Sequence, residues 1–150
     1  MTIALHKTAI ATIAGTVTGI TKAFEYPPAK IDTAELPALY ILTGDANNDF
    51  EIIGDDMVQT TRTYRLQVAC VPTGQASAET REALIPPIIE ATVNKFAGAP
   101  FLNGTIGVKN SLPKSDSGIV VLPEFGMMFV GFEVRLQVTY VVERQYLEFE

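Results

Sequence analysis

The chain is nearly devoid of the side chains that most often carry chemistry: it holds one histidine, one cysteine and no tryptophan. A single cysteine excludes a disulfide within the chain, and nothing argues for an oxidising compartment. Cys70 falls on the apolar side of an alternating stretch, where a small buried hydrophobe is expected. His6 stands far in sequence from any carboxylate cluster, so no catalytic or metal role is expected of it. There is no GxSxG, phosphate loop, CxxC or HExxH. Ser77, Ser111, Ser115 and Ser117 stand in turn-like sequence, where capping explains them. No cofactor is implied and no enzyme is expected.

Charge is scarce too. Charged residues make up 19% of the 150 positions against 47% apolar; soluble domains average about 25% charged. The apolar surplus points to surface buried against partners. The net charge is −6. An acidic chain is poorly suited to general nucleic-acid binding or to anionic membrane surfaces. Long apolar runs are missing. Thr interrupts the N-terminal MTIALHKTAIATIAG, so no signal-peptide core forms. The uncharged run between Lys7 and Lys22 is shorter than the ~20 residues a membrane span needs. Gly15 and Gly19 mark a place of close packing, and Asn103-Gly104 a turn.

What the chain does have is alternation. In Glu133–Glu143, Val134, Leu136, Val138, Tyr140 and Val142 share one face, and Arg135, Gln137 and Thr139 the other. That is a long half-buried strand. Tyr64–Val71 repeats the pattern, with Tyr64, Leu66, Val68 and Cys70 opposed to Arg65 and Gln67. The shared RLQV at 65–68 and 135–138 suggests neighbours in one antiparallel sheet.

Helical spacing appears twice. Ile10, Ile13, Val17, Ile20 and Phe24 recur at intervals of 3, 4, 3 and 4, predicting a helix that ends at Pro27-Pro28. Ser77 reads as an N-cap, and Gly98 as the close of a helical region. Pro86-Pro87 predicts a break, giving helices over 77–85 and 87–97 with Ile88, Ile89, Val93 and Phe96 facing the core. Between these regions lie an arm over 26–38, a short strand over 39–43, a polar loop over 110–118 and a strand over 119–122. The long last strand runs over 126–142, and 144–150 is a tail. The fold expected is one α+β domain over 1–150: a mostly antiparallel sheet with two main helices packed on one face.

Residues 44–57 are the most acidic stretch and have two readings. Asp45, Asn47, Asp49, Glu51 and Asp56 follow the spacing of a Ca²⁺ loop, with Ile52 at the apolar position. Phe50 stands where that loop needs glycine, and Asp56 reaches less far than the usual glutamate. The other reading is a solvated loop or hairpin tip.

The order of elements resembles the tail terminator (tail completion) proteins of long-tailed bacteriophages, the group of the lambda-like terminator. The features run through nearly the whole chain: the N-terminal helix and Phe24-Glu25-Tyr26-Pro27-Pro28; the entry Glu35-Leu36-Pro37-Ala38-Leu39-Tyr40; the acidic stretch before Arg62-Thr63-Tyr64-Arg65-Leu66-Gln67-Val68; Val93-Asn94-Lys95-Phe96; and Phe129-Val130-Gly131-Phe132-Glu133 leading into the last strand. The double proline at 86–87 departs from the pattern. The resemblance implies a virion protein without catalysis, made in the host bacterial cytoplasm. It would form a ring, usually a hexamer, at the head-proximal end of the tail tube, stop tube growth and meet the head–tail connector or stopper. DNA would pass through without specific binding. Axial contacts are then expected at Asp45, Asp49, Asp55, Asp56, Lys114 and Asp116, and ring-side contacts at Arg62, Arg65 and Arg135, read as outward-facing. A head-completion or head–tail joining protein and a cellular Ca²⁺-binding module stand as alternatives.

Overall fold

The structure, a computed structural model, describes residues 2–49, 57–75, 77–126 and 128–143. Helix α1 (Thr2–Ala14) leads to a short strand β1 (Lys22–Phe24). Strands β2 (Ala38–Asp49) and β3 (Met57–Pro72) form a hairpin, followed by α2 (Ala78–Ala97). Strands β4 (Val108–Asp116), β5 (Val120–Leu122) and β6 (Phe129–Glu143) complete the chain. The sheet runs β1-β2-β3-β6-β4, with β5 also on β6. Among the described residues only β1 and β2 pair in parallel. This is the α+β architecture expected. Among the described residues no helix is long and apolar enough to cross a membrane.

The two RLQV strands are neighbours: β3 and β6 pair antiparallel with Arg65 opposite Arg135 and Leu66 opposite Val134. Their even-numbered residues build the main core. Tyr64, Leu66, Val68, Val134, Leu136 and Val138 pack under Ile10 and Ile13 of α1 and Ile85, Ile88 and Phe96 of α2. Both helices therefore cover one face. The interior leaves a Cys70 thiol buried, and the loss of hydration pushes its pKa up to about 12.

The first helix stops ten residues short of Phe24. Gly15 is followed by consecutive turns in which Thr16, Val17 and Ile20 donate to carbonyls three residues back. Such turns keep the three-to-four spacing, so Val17 and Ile20 still reach the core. Gly19, at φ 100°, leaves the helical region altogether and sits against Ile88.

Helix α2 is continuous through Pro86 and Pro87, against the break expected. The carbonyls that lose their donors, Glu82 and Ala83, belong to exposed residues, where water replaces the missing bonds. Ile85, Ile88, Thr92 and Phe96 are buried on both sides of the prolines and hold one continuous stripe on the core. Ser77 caps the helix by accepting the Thr80 amide, and Gly98 closes it.

Residues 44–49, read as part of a loop or hairpin tip, extend β2 in the β2–β3 hairpin, and the loop expected over 110–118 lies largely in the edge strand β4, polar and carrying Pro113. An edge tolerates proline and lysine because half its backbone groups face water.

Candidate functional site

The sheet face away from the helices is divided. At one end Ile31, Leu36, Phe125 and Phe129 pack over Ala38, Tyr40 and Ala69. The arm over 25–37 and the turn Pro123–Phe125 supply this cover. At the other end β3 and β6 carry successive polar pairs: Gln67 with Glu133, Arg65 with Arg135, Thr63 with Gln137, Thr61 with Thr139.

The boundary between the halves is a buried hydrogen-bonded row. The Tyr40 hydroxyl donates to Gln67 Oε1 at 2.6 Å, and Gln67 Nε2 donates to Glu133 Oε1 at 2.9 Å. Burial pushes the Tyr40 hydroxyl pKa upward, so it stays a donor. Arg65 reaches the same Glu133 oxygen through Nη2 at 2.8 Å, while Arg135 Nε reaches Oε2 at 3.2 Å. Burial alone would raise the Glu133 pKa. The bonds from Gln67, Arg65 and Arg135 outweigh it and hold the carboxyl below the ordinary range. The Ser117 hydroxyl accepts the Glu133 amide at 2.8 Å and ties the next segment to this row.

Beside the row lies an open depression of about 500 Å³ spanning four strands, lined by Gly44, Asp45, Thr63, Arg65, Lys114, Ser115, Arg135 and Gln137. Four of the residues singled out in the sequence, Asp45, Arg65, Lys114 and Arg135, therefore meet at one place. Lys114 has no ion-pair partner among the described residues. Three cations against the Glu133 and Asp45 carboxylates leave the depression net positive in an acidic chain. Such a surface recognises anions, and the guanidinium forks favour carboxylates or phosphates.

The other candidates lie elsewhere. Arg62 does not face outward with Arg65: it shares the helix-side parity of Tyr64. Its Nε donates to the Tyr140 hydroxyl at 3.3 Å, and its Nη1 to the Gly44 carbonyl at 2.9 Å. That carbonyl lies at the register shift between Thr43 and Ala46, where ladder bonds are disrupted. Asp49 pairs across from Gln59, far along the hairpin. Asp116 accepts the Gly118 amide in the turn after β4. Glu51, Asp55 and Asp56 lie outside the described residues. Asp45, Asn47 and Asp49 sit on an extended strand, where alternate residues stand about 6.6 Å apart. Among the described residues no group of three or more His, Cys, Asp or Glu side chains is placed to hold a metal ion.

His6 is fully buried on the sheet-facing side of α1, with Nδ1 2.7 Å from the Tyr64 hydroxyl and its ring edge-on to Tyr140. Burial, then the nearby Arg62 charge, lowers its pKa to about 4. It stays neutral and acts as a core residue.

Sequence reasoning missed Gln67 and Glu133 as buried groups. Both stood at positions that alternation assigns to solvent, and only the pairing of three strands reveals that they satisfy each other. The chain matches no protein-family model, and a search of curated proteins finds no significant relative.

Proposed function

We propose that this chain is the ring subunit of a phage tail terminator, acting by assembly rather than by catalysis. One observation supports it most: the sheet ends in two unlike free edges. β1 covers β2 only over Ala38–Tyr40, so the rest of β2, carrying Asp45 and Asp49, has no outer strand among the described residues. At the opposite side lies β4, carrying Lys109 and Lys114. Dissimilar, oppositely charged sides suit head-to-tail contacts between copies, and such contacts make rings where the rotation between copies closes. The order of elements agrees with the resemblance: Ala38-Leu39-Tyr40 opens β2, Arg62–Val68 lies in β3, Val93–Phe96 ends α2, and Phe129–Glu133 opens β6. The net charge of −6 fits a conduit that does not retain passing DNA.

On this reading the ring, a hexamer, sits between the tail tube protein and the head connector or stopper in the virion. Electron microscopy of particles from a phage with this gene disrupted tests it. Free tails of excessive length are the expected result. Normal-length free tails beside DNA-filled heads would move the protein to the head side of the joint, as a head-completion protein. Intact infectious particles would overturn both.

A further inference from the structure

We infer that the Arg65–Arg135–Lys114 depression is a carboxylate-binding site, and that its occupant is the acidic stretch 45–56 of a second copy. The choice of a second copy as occupant rests on the ring reading above.

The argument begins with the cations. Glu133 engages Arg65 through one oxygen and Arg135 through the other. The carboxylate is thereby used up, but the arginines are not. A guanidinium has five N–H donors, and Arg135 offers only Nε to Glu133, with its side chain 60% exposed. Lys114 stands at the rim where the β4 register shifts between Pro113 and Ser115. Glu133 therefore works as a positioning residue. It holds both guanidinium groups and leaves their remaining donors free beside Lys114, all three residues lining one open volume.

The occupant follows from charge. Of the 17 acidic residues, five fall within 45–56: Asp45, Asp49, Glu51, Asp55 and Asp56. No other stretch of that length is so dense in carboxylates. A copy cannot satisfy its own site with Asp49, which pairs opposite Gln59, six residues along β3 from Arg65 and thus about 20 Å away. Asp45 lines its own copy's depression while Asp49 cannot reach it, and a carboxylate held away from the site on its own chain suits a heterologous contact.

The test uses a fluorescent synthetic peptide of residues 45–56 and the full-length chain. Anisotropy should report saturable binding that weakens with added salt. Lys114→Glu with Arg135→Gln should weaken it by about tenfold or more. A control peptide with every Asp and Glu replaced by Asn and Gln should not bind. Unchanged melting temperature of the double variant shows that the fold persists. In parallel, sedimentation of the full chain should show self-association that the double variant loses, that Asp55→Lys with Asp56→Lys also loses, and that mixing the two variants restores. Absence of peptide binding, or self-association indifferent to both sets of substitutions, overturns the site. Rings that persist in the double variant would reject the site and leave the terminator reading standing. Charge-dependent self-association without any tail phenotype would reject the terminator reading and leave the site standing.

Discussion

Arg65 and Arg135 stand directly opposite each other across β3 and β6, the two longest strands of the sheet. Like charges in that position repel. Glu133 sits two pairs further along, next on the same face, and takes one guanidinium on each oxygen, so the repulsion becomes a three-group ion cluster.

Glu133→Gln removes the charge that holds the two arginines together while keeping the shape. Hydrogen bonds to charged groups contribute about 1.5–3 kcal/mol each when buried. Both arginines are partly solvated, so the total loss expected is about 2 kcal/mol. Urea denaturation at pH 7 measures it. The folded carboxyl titrates below its unfolded value of 4.5. Its stabilisation is therefore present above pH 4.5 and is lost as pH falls through the lower folded value. The variant should lack that part of the acid sensitivity.

A second acid window belongs to His6. The unfolded imidazole titrates at 6.5 and the folded one at about 4. Between these values the unfolded chain takes up a proton and the folded chain does not. Stability is thus complete above pH 6.5 and falls by on the order of 2–3 kcal/mol as pH drops to 4. The double variant His6→Phe with Tyr64→Phe removes the group and its hydrogen-bond partner together. Its stability should be flat from pH 6.5 down to about 5, above the range in which the Glu133 contribution is lost, as read by denaturant midpoints at successive pH values.

Gly131 is packed where a β-carbon would run into the Val68 carbonyl and crowd the Ala69 backbone, beside the register shift at Ala69–Val71. Gly131→Ala must separate β3 from β6 at their base. A loss of about 2–4 kcal/mol is expected, within the range of strained and overpacked core substitutions. A melting curve measures it, and an unchanged midpoint would contradict the close approach.

Pro86→Ala with Pro87→Ala restores two amide donors inside α2. Proline in a helix interior costs up to about 3 kcal/mol relative to alanine. The stiffer unfolded chain of the native sequence offsets part of that. A net gain of about 1–2 kcal/mol is expected, with the far-ultraviolet helical signal unchanged because the helix is already continuous.

Cys70 is 3% exposed and its thiol titrates near 12. Ellman's reagent should leave the native protein unlabelled at pH 8 and react with the chain in denaturant.

The sheet was legible because alternation over 64–71 and 133–143 is long enough to fix both the strands and the buried face. The first helix was overextended because consecutive turns mimic helical periodicity. Local rules at Pro86-Pro87 gave way to a buried stripe that spans both prolines. Edge strand β4 looked like a loop because an edge needs little apolar content. At the site, arginines were visible as outward candidates on β3 and β6. The outward reading of Arg62 goes against the parity of the triplet Arg62-Thr63-Tyr64, which puts it on Tyr64's side. That Arg65, Arg135, Lys114 and Asp45 converge depends on four strands meeting, and no local pattern encodes it.

The row from Tyr40 through Gln67 to Glu133 acts as a ruler for strand alignment. Slide β6 by one residue against the rest of the sheet and Glu133 turns toward Ile10 and Phe96, while Leu136 turns to water. A smooth apolar sheet would resist such a slip by packing alone. Here the wrong alignment would also strand a carboxylate in the core and leave the Gln67 amide N–H without its acceptor, so the error carries an electrostatic penalty as well. That discrimination leaves the chain a single permitted alignment, and with it one arrangement of the surface that the three cations share.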